Sequence, residues 1–125
     1  MGDPLLRLLL VAAVIVAAAG LGWLARRSLV DHPPVDIAGA GFEPGLVVFT
    51  STECGRCHDV LAAARATGAP LREVTYELEA DLQEQVGVVG VPLTLVIDRS
   101  GAIARQFAGL VSRRRLRRTL RDTGL

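Results

Sequence analysis

The chain has two cysteines, Cys54 and Cys57, separated by Gly55 and Arg56 and followed at once by His58. Three chemistries use such a string. Two thiols at this spacing can cycle between dithiol and disulfide. Cys-x-x-Cys-His is also the attachment pattern of a c-type haem, with His58 as proximal ligand. The same side chains supply part of a tetrahedral zinc site. A fourth reading is a disulfide that only staples the fold, but so short a loop constrains little of the unfolded chain. For haem, a second axial ligand has to come from Met1 or His32, the one other histidine. For zinc, His58 is adjacent to Cys57 and does not reach the same ion. The dithiol is therefore the favoured reading, with no metal ligands and no cofactor beyond the Cys54–Cys57 pair itself.

The thiolate, not the thiol, attacks a disulfide. A helix N-terminus favours an anion there, as does positive charge from Arg56 and from protonated His58; Glu53 and Asp59 oppose it. The expected pKa of Cys54 lies within about 3.5 to 7.5, the range of such sites. Cys54, nearer the helix end, is the expected nucleophile, and Cys57, one turn in, resolves the mixed disulfide. Glu53, Arg56 and His58 are expected modulators.

These roles need a strand that delivers the cysteines to a helix start. "LVVFTS" (46–51) is a β-favouring apolar run of the buried parallel kind. "STE" precedes a helix whose spacing is set by Val60, Leu61 and Ala64 and whose stop is Gly68 with Pro70. "LREVTYE" (71–77) reads as a strand, 79–87 as a helix, and "PLTLVID" (92–98) as a strand. "DRSG" turns into a fourth strand (102–107), and Ser112 caps a last helix. The order β-α-β-α-β-β-α predicts an α/β fold with a mixed sheet.

Before this domain, residues 5–25 are apolar save for Arg7. At about 1.5 Å per residue they span roughly 30 Å, a bilayer core. Trp23 stands at interfacial depth. The expected organisation is a membrane anchor (1–27), a Pro- and Gly-rich linker (28–45) and a domain (46–125). A cleaved signal peptide ending near "AAAG" is the rival, but the apolar run continues beyond it. One Arg precedes the span and two follow, which leans towards a cytoplasmic domain and leaves an extracytoplasmic one open.

All 14 basic residues are arginine, and six of them lie in 113–121. The last fourteen residues carry a net +5, whereas 28–111 carry a net −6. A solvated helix face, with arginines complementing the helix dipole, is the expected reading; lipid headgroup contact is the sharper alternative. No aromatics interleave with the arginines, which argues against a nucleic-acid partner.

From Leu46 onward the chain resembles the thioredoxin family. The resemblance rests on the strand before "CGRC", on "VGVVGVPLTLVID", on the "DRSG" hairpin and on "FAGLVS". It implies that Pro92 is the family's cis-proline, that Val91 pairs with substrate backbone, and that Gly109 keeps the substrate groove open. It also implies protein disulfides as substrates and a thiol electron donor. The position of the family's buried acid holds Val48, so accepting the proton of Cys57 falls to His58 or to water. The function implied is a membrane-anchored thiol–disulfide oxidoreductase working as a reductase. The alternative is a non-catalytic adaptor of the same fold.

Overall fold

The structure is a computed structural model; it describes residues 2–30 and 32–125, the side chains of residues 24–30 excepted. Met1, in the expected anchor, and Asp31, in the expected linker, lie outside the described residues. The apolar run lies within one helix, α1, Pro4–Val30. Asp3 starts it, its Oδ1 accepting from the Leu5 amide at 3.1 Å. The stretch Pro4–Trp23 is long and apolar enough to cross a membrane. Leu, Val and Ile side chains stand exposed all along it.

A second unit, His32–Leu125, has its own contacts. Its elements are β1 (Gly45–Thr50), α2 (Gly55–Arg65), β2 (Leu71–Thr75), α3 (Tyr76–Val86), β3 (Leu93–Ile97), β4 (Ile103–Ala108) and α4 (Arg113–Asp122). The sheet order is β2-β1-β3-β4. β1 and β2 are parallel, and the other pairs are antiparallel. The hairpin turn is held by Asp98, whose Oδ1 accepts from the amides of Ser100 and Ala102.

The period-2 alternation of β1 divides its side chains between two layers. Leu46 and Val48 pack with Val60, Leu61 and Ala64 of α2 and with Leu116 and Leu120 of α4. Val47 and Phe49 pack on the other face with Val74, Val86, Leu93 and Leu95. All six residues of β1 are buried. Burial of a side chain such as Phe49 contributes about 2–3 kcal/mol.

The structure departs from expectation in the start of the compact unit and in the charges of α4. The compact unit begins at His32 and not at Leu46. Val35 and Phe42, each 9% exposed, belong to the second core layer. Phe42 meets Phe49 edge-on at 5.9 Å, and Arg72 covers Phe42 at 5.1 Å. The Asp36 amide donates to Val86 O at 3.0 Å, and His32 Nε2 accepts from the Val89 amide at 2.9 Å. Two isolated apolar residues among prolines and glycines carry no periodicity, yet they cover a sheet face that α3 leaves open. The second difference concerns α4. Its first turn holds Arg113, Arg114 and Arg115, and only Arg121 lies in the last turn. Arginine complements the helix dipole at the C-terminal end alone, so most of these charges do not serve that purpose.

Candidate active site

β1 ends at Thr50, and the chain reaches Cys54 through a tight turn in which the Cys54 amide donates to Ser51 O at 3.1 Å. Cys54 is itself the N-cap of α2, with extended backbone and no side-chain capping bond. Its carbonyl accepts from the Cys57 amide at 3.3 Å. Sγ therefore occupies the place where serine or aspartate would present an oxygen to the unpaired amides of the first turn. Cys54 and Cys57 are joined as a disulfide, with Cα atoms 5.4 Å apart. Cys57 is 3% exposed, whereas Cys54 is half-buried. A molecule approaching from solvent meets Cys54 first. Glu53, Arg56 and His58 are all exposed around it.

Behind the disulfide lies a cleft of about 420 Å³, lined by Cys54, Cys57, His58, Thr50, Glu73 and Glu77 among others. Thr50 is 2% exposed, and its hydroxyl donates to Glu73 Oε1 at 3.0 Å. Glu73 stands opposite Val48 in the parallel β1–β2 register. Val48 is itself wholly buried. An acid thus enters the Cys57 side of the sheet from the neighbouring strand. Strand alternation gives the reason: Val74 points into the second core layer, which turns Glu73 to the α2 face.

Glu77 fastens the turn. Ser51 Oγ donates to its Oε1 at 2.6 Å, and the Thr52 amide donates to its Oε2 at 3.0 Å. These bonds hold the Glu77 carboxyl at about 2, well below the usual carboxylate range. β2 ends at Thr75, two residues before the expected end, because α3 starts at Tyr76 with Thr75 as its N-cap. Gln83 of α3, 2% exposed, donates from Nε2 to Thr50 O at 3.0 Å and to Val74 O at 2.8 Å. It ties the ends of β1 and β2 together under the turn.

Val91, Pro92 and Gly109 form a second group at the same end of the sheet. The Val91–Pro92 bond is cis, and Gly109, at φ 76°, donates its amide to Pro92 O at 3.0 Å. Leu93, next in the chain, pairs with Phe49 and with Ala108. Pro92 is buried and Val91 half-buried. The large apolar side chains that the compact unit exposes are Tyr76, Leu78, Val89 and Leu110. All four follow or precede strand ends at this pole. Glu73, Glu77, Thr50 and Gln83 were not singled out from the sequence. A glutamate on an edge strand carries no motif, and only the register brings it to the cysteines.

No family model and no curated protein matches the chain. Solved structures do. A thio-disulfide isomerase from Thermus thermophilus has a TM-score of 0.51 and is 22% identical, over 66% of this chain and 80% of that one. Thioredoxin 1 from Thermosipho africanus has a TM-score of 0.53 and is 17% identical, over 62% and 91%. At such identities the likeness is one of fold, and it agrees with the four-stranded mixed sheet and its flanking helices: the compact unit of this chain has the thioredoxin-like fold.

Proposed function

We propose that the protein is a membrane-anchored thiol–disulfide oxidoreductase acting on protein disulfides as a reductase. The observation that carries this is the unequal exposure of a bonded pair, an accessible Cys54 at the helix N-cap and a buried Cys57 behind it. α1 supplies the anchor, by its length and apolar composition.

In the reduced protein the Cys54 thiolate takes the place of a capping oxygen and accepts from the free amides of the first turn. It attacks a substrate disulfide. One substrate sulfur leaves as a thiolate, and Cys54 is joined to the other in a mixed disulfide. Cys57 then loses its proton and attacks Cys54 Sγ. The Cys54–substrate bond breaks, the second substrate thiolate leaves, and the Cys54–Cys57 disulfide forms. Two electrons have passed to the substrate, and a thiol donor must return them.

The proton of Cys57 goes to Glu73, through the Thr50 hydroxyl or a water in the cleft. Glu77 is the other acid there, but held at about 2 it is too weak a base at neutral pH. Val91 and Gly109 offer the edge for substrate backbone, beside Pro92. Tyr76, Leu78, Val89 and Leu110 give an apolar rim suited to an unfolded or extended segment. Glu53, Arg56 and His58 flank the thiolate and tune its potential.

Reduction of insulin by the full chain tests the proposal: turnover with a dithiol donor is expected, and its loss in Cys54→Ser. An inactive parent chain would favour the adaptor reading, which draws its support from Val48 standing where the resemblance implies an acid.

A further inference from the structure

Five arginines converge on a cleft of about 950 Å³ at the end of the sheet away from the disulfide. Arg113, Arg114, Arg117 and Arg121 come from α4, and Arg99 comes from the β3–β4 turn. The end is fixed by the register: Ile97, two residues before Arg99, pairs with Gly45 at the start of β1, whereas Cys54 follows its end. The floor is apolar, made by Ala69, Pro70, Leu120 and Leu125, and no Asp or Glu lines the cleft. The ion pairs found among the described residues, Arg65–Glu73 and Arg72–Glu79, do not involve α4. Arg117 is fixed by donating to Ala66 O at 2.9 Å.

This arrangement is unfavourable for the protein alone. Three cations sit in the first turn of α4, where the helix dipole repels them and no acid stands. Arg115 stacks over Phe107 at 5.0 Å, which leaves Arg113 and Arg114 facing the cleft without an ion pair among the described residues. Arg113 and Arg117, Arg114 and Arg118, and Arg117 and Arg121 are like charges at helical i, i+4 spacing. Arg115 and Arg117 are compensated within the protein, by Phe107 and by Ala66 O. Arg113 and Arg114 break a local rule without such compensation, and that marks a place where a partner supplies it. That partner is anionic, and it meets arginines ringing an apolar floor, the chemistry of a phosphodiester headgroup above acyl chain. The compact unit starts at His32, a few residues beyond the apolar stretch Pro4–Trp23. With that stretch in a bilayer, so short a separation in sequence keeps the compact unit at high effective concentration near the bilayer surface.

We infer that the α4–Arg99 cleft docks on the headgroups of an anionic bilayer, leaving the opposite, disulfide-bearing pole open to substrate. The inference rests on the reading of α1 as an anchor. The test is arginine modification by p-hydroxyphenylglyoxal, read residue by residue by mass spectrometry. The full chain is placed in nanodiscs of phosphatidylcholine, or in discs with about one-third phosphatidylglycerol. Arg99, Arg113, Arg114 and Arg121 are expected to react about fivefold more slowly in the anionic discs, and about 0.5 M salt should abolish the difference. Arg56, at the other pole, should react equally in both. The R113E/R114E variant should lose the protection at Arg99 and Arg121 while keeping insulin reduction. Equal rates in the two discs overturn the docking. So does equal protection in neutral discs by inorganic phosphate, or by a short oligonucleotide. A chain that enters neither disc overturns the anchor reading, and the docking with it.

Discussion

The hydroxyl of Thr50 donates to Glu73 Oε1 at 3.0 Å across the parallel β1–β2 pair, in the cleft that Cys57 lines. This bond puts a carboxylate within the surroundings of the buried thiol although β1 holds Val48 and no acid. Glu73→Gln removes the proposed proton acceptor and keeps the shape. Resolution of the mixed disulfide should slow by about 10- to 100-fold near neutral pH, with the defect shrinking as pH rises. Acid quenching during turnover should trap more of the Cys54–substrate adduct than in the parent, and Glu73→Asp should recover part of the rate. An unchanged pH profile in Glu73→Gln would move the proton to His58, which lines the same cleft.

Glu77 gives a pH dependence with a definite sign. Its folded-state pKa is depressed from 4.5 to about 2 by Ser51 and Thr52. The carboxylate's hold on the turn is therefore fully present above about 4.5 and is lost as pH falls through about 2. Hydrogen exchange at the Thr52 amide should stay slow down to about pH 3 and accelerate below it. Glu77→Gln should accelerate that exchange at neutral pH as well.

Gln83 serves two carbonyls from one buried nitrogen. Gln83→Leu leaves Thr50 O and Val74 O without that donor, and urea unfolding should show a loss of about 2 kcal/mol. Because Thr50 anchors the cleft, turnover should fall as well.

Thr94 has the opposite defect. Wholly buried on β3, its Oγ1 has no hydrogen-bond partner. Thr94→Val exchanges that hydroxyl for a methyl of nearly the same size and should raise stability by about 1 kcal/mol, read as a higher urea midpoint at unchanged slope. The structure gives no functional reason for the hydroxyl.

The element order was legible because periodicity and stop signals were strong: an apolar run in β1, helical spacing at Val60, Leu61 and Ala64, and the Asp98–Gly101 turn. The cysteine pair was legible because its spacing is a local property of one turn. Three things were not. Val35 and Phe42 lie in a segment without period, and only the uncovered sheet face explains their burial. Glu73 reaches the cleft by strand register, which no local pattern encodes. The Ser112 cap of α4 was legible, and Oγ accepts from the Arg115 amide at 3.2 Å; that Arg99 of the β3–β4 turn lines one cleft with the α4 arginines was not, because it depends on tertiary packing.

In the proposed cycle Cys54 attacks and Cys57 resolves. The most direct measurement is trapping: the reduced full chain carrying Cys57→Ser is mixed with a disulfide-containing protein, quenched with acid, alkylated and weighed by mass spectrometry. A stable one-to-one adduct through Cys54 is expected, with none in Cys54→Ser and only a transient one in the parent. An adduct through Cys57 in Cys54→Ser, or no adduct in Cys57→Ser, would rule out Cys54 as the attacking thiol.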